Sequence, residues 1–598
     1  MSELSAAERL LHGAWQQGAL RDLDFHLARQ FAALAPAPSA ALMLATALVS
    51  QRLGAGDACA DLRVVAGRAL WPDAPPAPAL EDWRAALLDS GLVARAEEAD
   101  AAARPLILDG ADRLYLARYF VYERAVAEAL RARAAAWRPV AESAALRASL
   151  ERLFPAARET PDWQRVAAAV AALRPLTVIA GGPGTGKTTT ATAILALLAE
   201  HAPRRLRMAM AAPTGKAAAR LAEAVRAARA RLDCPAPALA QIPEVALTLH
   251  RLLGLTGGGR PARYHAGNPL HLDVLVVDEA SMIDLPLMAR LLAALPPEAR
   301  LVLLGDKDQL ASVEAGVVLA DVWQGAGEAV SEPLAAALGE VGCPVPGAAD
   351  APALRDSLVL LRTSHRFTGA SRVGRAAAAV QQGDAAAVSA ALLDAPPPEL
   401  AALAVEGYRA YLRAALPAEA LDAFARFRVL CAVREGPRGL HALNETVRAA
   451  LGGAGLLRGT GLWYAGRPVM ITRNDYDQGL FNGDIGVTWS EPDGHLRVYF
   501  PADRGVRGVL PARLPPHETA YAMTVHKSQG SEFDRVALVL PDQDGPLLTR
   551  ELLYTAITRA REHIDVYAPP QLLEAAVARH TRRASGLAQR LWGPAARA

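Results

Sequence analysis

Residues 181–188 read Gly-Gly-Pro-Gly-Thr-Gly-Lys-Thr, so Gly181, Gly186, Lys187 and Thr188 satisfy the spacing G-x-x-x-x-G-K-[ST]. An apolar, partly β-branched run at 176–180 precedes them, and helical apolar spacing follows Lys187. That strand–loop–helix context marks a phosphate-binding loop. Its glycines let backbone N–H groups wrap a phosphate chain, and the helix N-terminus adds partial positive charge. The nucleotide cradle therefore includes Gly182, Pro183, Gly184, Thr185 and Thr189. Lys187 is placed to reach the β- and γ-phosphates, and the Thr188 hydroxyl to ligate Mg²⁺. A second apolar run ends in Asp278-Glu279. There Asp278 suits Mg²⁺ and Glu279 suits the orientation or deprotonation of an attacking water. Gln309, beyond a third run, is placed to sense a γ-phosphate. Gln164, upstream, carries a paired donor and acceptor that either reads an adenine edge or simply faces solvent. These residues together imply Mg²⁺-dependent hydrolysis of a nucleoside triphosphate.

The elements that must hold these residues alternate between strand and helix, the pattern of a parallel α/β sheet. Strands are expected at 176–180, 206–212, 274–277 and 301–304. Each is followed by small or polar residues at its C-terminal end, where open α/β sheets place their ligands. Pro and Gly concentrate at 342–353 and suggest a joint between domains. A second α/β pattern follows, with strands at 428–433, 536–540 and 564–567 and no second phosphate loop. Between 450 and 515 the period shortens, and turn residues such as Phe481-Asn-Gly-Asp imply a small antiparallel β module. Residues 1 to about 110 are rich in Ala and Leu and read as helices separated by Pro-rich joints.

Composition sets limits on the class. At 598 residues the chain exceeds one core, and a prior of ~150 residues per domain gives three to five. A net charge of +2 requires any basic surface to be local. Cys59, Cys234, Cys343 and Cys431 lie far apart with no CxxC spacing, so reduced thiols, a cytoplasmic setting and no zinc site are expected. No secretory signal is expected from the first residues. The uncharged stretch at 30–51 is broken by Pro36 and Pro38. The helix left, capped by Ser39 and ending before Gly54, is shorter than the ~20 residues a bilayer needs, so no membrane partner is expected.

Taken in order, a series of stretches resembles the motifs of superfamily 1 helicases, most closely the RecD group. They are DWQRVA at 162–167, GGPGTGKTTT at 181–190, AAPTGKAAARL at 211–221, TLHRLLG at 248–254, VVDEASMIDL at 276–285 and LLGDKDQL at 303–310. SHRF at 364–367, CAVREGPRG at 431–439, GRPVMITRND at 466–475, FNGDIG at 481–486, YAMTVHKSQGSEF at 521–533 and LLYTAITRAR at 552–561 continue the series. The resemblance implies two RecA-like parallel-sheet P-loop NTPase domains, an N-terminal helical domain and an inserted antiparallel, SH3-like module. The corresponding division is 1–110 for partner docking, 111–350 for the first motor domain, 351–449 with 516–598 for the second, and 450–515 for the insert.

The resemblance further implies that the cofactors are ATP and Mg²⁺, and that Lys187, Thr188, Asp278, Glu279 and Gln309 line one wall of the ATP cleft. Arg366 and Arg559 come from the other wall, as arginines that neutralise the transferred phosphoryl group. Thr214, Lys216, Thr248, His250, Asn482, Thr524, His526, Lys527 and Ser528 match strand-binding positions, although Thr and Ser at strand ends also serve as caps. The implied activity is an ATP-dependent 5′-to-3′ DNA helicase. It would be the motor subunit of a RecBCD-type exodeoxyribonuclease V, in a heterotrimer with RecB-like and RecC-like subunits, unwinding duplex ends for recombinational repair. A stand-alone RecD-like helicase is the alternative, and a nucleotide-binding regulator that moves no DNA is a third reading.

Overall fold

The phosphate-loop strand, Leu176–Gly181, is buried along its whole length, and alternate residues serve opposite layers. Val178 shares a core with Leu291 and Leu303 on one face of its sheet, while Ile179 joins Ile194 and Leu197 on the other. The computed structural model describes residues 3–98, 100–155, 161–255, 262–367, 371–394, 397–457, 461–475, 477–502 and 505–593. Part of the loop at 257–267, which matches no helicase motif, lies outside them.

The first sheet is six-stranded and parallel. Its order is Leu358–Leu361, Leu176–Gly181, Arg300–Gly305, Val274–Val277, Met208–Ala212 and Ala246–Thr248. A strand buried on both faces reads as an unbroken apolar run, which is why the four central strands are legible in the sequence. The edge strand Ala246–Thr248 spans only three residues, below the length at which period can be read.

Leu358–Leu361 corrects the domain division. It pairs in parallel with the phosphate-loop strand, Leu358 opposite Val178 and Leu361 opposite Gly181. The first motor domain therefore extends past residue 350. The Pro-rich segment before it is no joint between motor domains, because Gly347–Ala348 pairs with Val330–Ser331 as a two-stranded ribbon.

The second sheet is parallel in the order Ala522–Thr524, Phe427–Cys431, Phe533–Val539 and Ala560–Tyr567. Leu430, Val536 and Leu538 face one core, and Val429, Cys431 and Ala537 the other. Between its first two strands in sequence lies the antiparallel insert, a five-stranded sheet including Pro468–Ile471, Ile485–Ser490 and Leu496–Pro501. It closes over Val469, Ile471, Leu480, Val498 and Phe500. Its last strand, His517–Thr519, pairs with Pro468–Ile471 and carries the insert past residue 515.

The N-terminal region is mainly helical. Helix Ala40–Gly54 starts at Ser39, whose Oγ accepts from the Leu42 amide at 3.1 Å. The region also carries a four-stranded sheet of two- to four-residue strands, from Ala60–Asp61 to Arg113–Leu116, too short to show a period of two. That last strand moves the end of the domain beyond residue 110. Helix Ala117–Ala135 joins it to the first motor domain, with Val126, Leu130 and Ala134 in the same core as Leu287 and Leu291. The chain then returns to this place. Helix Leu587–Trp592 lies against Ala117–Ala135, and buried Glu123 accepts from the Gly586 amide at 3.0 Å and from Arg590 at 2.9 Å. Residues 586–592 are therefore packed outside the second motor domain. No helix among the described residues is long and apolar enough to cross a membrane.

Candidate ATP and nucleic-acid sites between two motor domains

Gly184 and Gly186 hold φ of +78° and +85°, in the left-handed region that glycine enters without steric cost. That backbone turns the loop back on itself, so Lys187 Nζ lies 2.6 Å from Gly181 O and 3.0 Å from Gly182 O. Helix Lys187–Glu200 begins at the Gly186 cap and carries Thr188 and Thr189 in its first turn. Gln164 is held at the start of helix Trp163–Leu173 by the Asp162 cap. Its Nε2 donates to Thr185 O at 2.9 Å and lies 3.2 Å from His365 Nε2. A cavity of about 510 Å³ opens beside it, lined by Gln164, Thr185, Gly186, Thr189, Leu361 and His365. Gln164 therefore packs against the phosphate loop and lines this cavity.

Asp278 follows strand Val274–Val277, and its Oδ1 accepts from the Glu279 amide at 2.8 Å. Loss of water, then the neighbouring Glu279 charge, raises its carboxyl above the usual carboxylate range against the pull of Lys187. An acid short of positive charge in this way suits a divalent cation, so the surroundings of Asp278 fit Mg²⁺. Glu279 itself has φ +53° and ψ +42°, a conformation costly for a residue with a Cβ and typical of functional sites. Gln309 is buried, and its Nε2 donates to Asp306 Oδ2 at 2.9 Å. Tyr554 OH, from the second domain, reaches the same oxygen at 3.2 Å. One residue on, the Leu310 amide donates to Thr555 Oγ1 at 2.8 Å, and Gln529 Nε2 donates to Leu310 O at 2.8 Å. The segment that carries Gln309 is thus bonded directly to the second domain.

The two arginines differ in origin. Arg559 is buried in the second domain, donating to Thr555 O at 3.0 Å and Ser531 O at 3.1 Å. The sequence resemblance places Arg366 on that wall too, but Arg366 stands just beyond Leu358–Leu361, the edge strand of the first sheet. His365 N donates to Gly184 O at 2.8 Å, and Ser364 Oγ donates to Pro183 O at 3.0 Å. These bonds root Arg366 on the phosphate loop itself. Its guanidinium leaves the loop and pairs with Glu532 of the second domain at 2.6 Å. Arg366 therefore bridges the two walls.

A cleft of about 1030 Å³ lies between the motor domains, away from the ATP side. Of the residues expected to hold a strand, Thr214, Lys216, Asn482, Thr524, His526 and Lys527 line it. Lys527 Nζ donates to Asn482 Oδ1 at 2.8 Å, which ties the antiparallel insert to the cleft. Half-buried Lys216 is lowered to about 7, by loss of water and then by Arg220. Anionic phosphate would return the charge that this environment disfavours. Three expected residues are not among those lining the cleft. Ser528 is fully buried, its Oγ donating to Val525 O at 2.7 Å, because the 3₁₀ turn His526–Ser528 points its last side chain inward. Thr248 caps helix Leu249–Leu252 by accepting from the Arg251 amide at 3.2 Å. His250, on that helix, is exposed.

Comparison with known proteins places this architecture. The chain is 41% identical over 599 residues to the RecBCD enzyme subunit RecD of Mycolicibacterium smegmatis, covering 96% of this chain and 97% of that protein. It is 42% identical to the RecBCD enzyme subunit RecD of Mycobacterium tuberculosis strain H37Rv, covering 96% of each. The chain belongs to the RecD family. It is accordingly an ATP-dependent DNA helicase. Family models match as the RecBCD enzyme subunit RecD N-terminal domain at 16–115, an AAA domain at 164–315 and a UvrD-like helicase C-terminal domain at 519–567. The ATP-dependent RecD2 DNA helicase of Deinococcus radiodurans is 34% identical, over 65% of this chain and 46% of that protein. Among solved structures, Bacteroides Pif1 bound to single-stranded DNA shares 18% identity, with a TM-score of 0.36, over 66% of this chain and 90% of that one.

Some residues of this RecD-family site are not singled out by sequence reasoning. Asp306, Gln529, Glu532, Tyr554 and Thr555 all lie inside the helicase-like stretches, yet their types alone name no role. Only their contacts across the domain boundary do so.

Proposed function

We propose that this chain is the 5′-to-3′ motor subunit of a RecBCD-type exodeoxyribonuclease V, working on duplex ends beside RecB-like and RecC-like subunits. The observation that carries the motor reading is the direct linkage of the two sites. Gln309, which we read as the γ-phosphate sensor, is one residue from Leu310, whose amide and carbonyl are both bonded to the second domain. In this reading Lys187 and the loop amides bind the triphosphate, and Glu279 orients and deprotonates the attacking water. Arg559 and Arg366 neutralise the phosphoryl oxygens. Thr188 and Asp278 would hold Mg²⁺, which when bound would supply charge neutralisation to the phosphate oxygens. Loss of the γ-phosphate releases Gln309, and the shift passes through Leu310 to Thr555 and Gln529. The second domain then moves along a strand held by Lys216, Thr214, Asn482, Thr524, His526 and Lys527.

The subunit reading is supported by the identity and its extent along the chain. At 41% identity 96% of this chain aligns with a RecBCD subunit, whereas 65% of it aligns with the RecD2 helicase, at 34%. Strand displacement on 5′-tailed and 3′-tailed duplexes tests the polarity, with unwinding expected only from the 5′ tail. Co-purification from native cells tests the partners. Recovery of the chain as a lone monomer would overturn the heterotrimer.

A further inference from the structure

Glu532 has no role in the reading above, yet it sits where the two motor domains meet over the phosphate loop. Its Oε1 accepts from Arg366 Nη1 at 2.6 Å, and its Oε2 faces Arg561 Nε at 3.3 Å. Burial by itself would raise the carboxyl, but Arg366, with Arg220 and Arg559 near it, holds it down at about 2. Arg366 is anchored at its other end. The residues just before it are bonded to Gly184 O and Pro183 O, and its Cβ occupies the space that a Cβ on Gly184 would need. The guanidinium is therefore within side-chain reach of the phosphate loop while its charge is spent on a carboxylate of the opposite domain.

One guanidinium fork matches one planar anion at a time. We propose that Glu532 is a positioning residue that holds Arg366 away from the phosphates until a γ-phosphoryl group displaces its carboxylate. This inference rests on the reading of Arg366 as a phosphate-neutralising arginine. Binding of a triphosphate then breaks the ion pair between the loop and the second domain, whereas a diphosphate leaves it intact. The exchange trades one charge-assisted pair for another and involves no covalent step. Arg561, whose side chain is 47% exposed, draws on the second carboxylate oxygen and weakens the hold on Arg366.

The test uses the full chain and binding of a fluorescent, non-hydrolysable ATP analogue, with ADP competition and steady-state ATPase beside it. Glu532→Gln should tighten the analogue roughly fivefold, the upper range for a partly exposed ion pair, and lower KM for ATP while leaving ADP binding unchanged. Arg561→Ala should shift both quantities the opposite way. A merely structural role for Glu532 would weaken analogue and ADP together in both variants, which would overturn the proposal. In an Arg366→Ala background, Glu532→Gln should no longer alter analogue binding, and a persisting effect would also overturn it. The two readings fail separately. If Arg366→Ala retains full kcat, the arginine assignment is wrong. If it loses kcat but Glu532→Gln leaves analogue binding unmoved, only the positioning role is wrong.

Discussion

Gly184→Ala offers a direct measure of how far activity depends on the seating of the Arg366 segment on the phosphate loop. The native φ of +78° costs an L-residue about 1–2 kcal/mol. The larger effect is steric. An added Cβ would overlap Arg366 Cβ and lie 3.1 Å from Arg366 N, where carbon atoms need about 3.5–4.0 Å. The obstructing atoms are at the root of the side chain, so no rotamer relieves the clash. The two segments must separate by ~1 Å or more, a displacement that can lower a rate ~10²-fold when it misplaces a catalytic group. The backbone strain alone lowers Tm by about 2–8 °C in a domain of this length. ATPase stimulated by single-stranded DNA, measured beside thermal melting, should show kcat down ~10²-fold with cooperative melting retained. Gly327→Ala, with nothing within 4 Å of its Cβ, should match the wild type. A Gly184→Ala variant with unchanged kcat would refute the reasoning, because the Arg366 segment would then be free to shift without consequence.

Arg559→Lys keeps the charge but loses the fork that donates to Thr555 O and Ser531 O. It should lower kcat by ~10³ with little change in ATP binding, read from steady-state kinetics and nucleotide titration. Lys527→Ala should weaken single-stranded DNA binding for all sequences and reduce the salt slope by about one. Ser528→Ala, changing a side chain turned into the core, should leave both unchanged in salt-titrated fluorescence anisotropy. Asp321, buried against Ser585, is raised to about 8 by loss of water and, more weakly, by Glu123. The folded state then binds a proton that the unfolded chain gives up near its ordinary carboxylate value, so stability from this group falls as pH rises from about 4 to about 8. Asp321→Asn should therefore gain a few kcal/mol on the wild type at about pH 9 and much less at about pH 5, by thermal melting. An equal difference at both pH values would refute the assignment.

What was legible in the sequence is what a contiguous segment decides. The phosphate loop is a strand, a turn and a helix in successive residues, with glycines where φ is positive. The Asp278-Glu279 pair follows its strand directly, and Ser39 caps its helix from the adjacent residue. Each of these depends on local backbone chemistry, which residue type and spacing encode. Short or shared features were not legible. Leu358–Leu361 reads equally well as a strand of either motor domain, and only its hydrogen bonds to the phosphate-loop strand place it in the first. His526, Lys527 and Ser528 are consecutive, but one 3₁₀ turn leaves two at the cleft and buries the third.

The sequence by itself determined that the chain carries a phosphate loop, that an acid pair follows a strand of the same sheet, and that a second α/β unit comes after it. The tertiary structure decided which wall carries Arg366, that Glu532 pairs with it, and that Gly586 returns to Glu123, 463 residues earlier in the chain. The reason is the range of the interactions. Backbone propensity acts over a few residues, whereas an ion pair or a buried hydrogen bond joins any two groups that folding brings within about 3 Å.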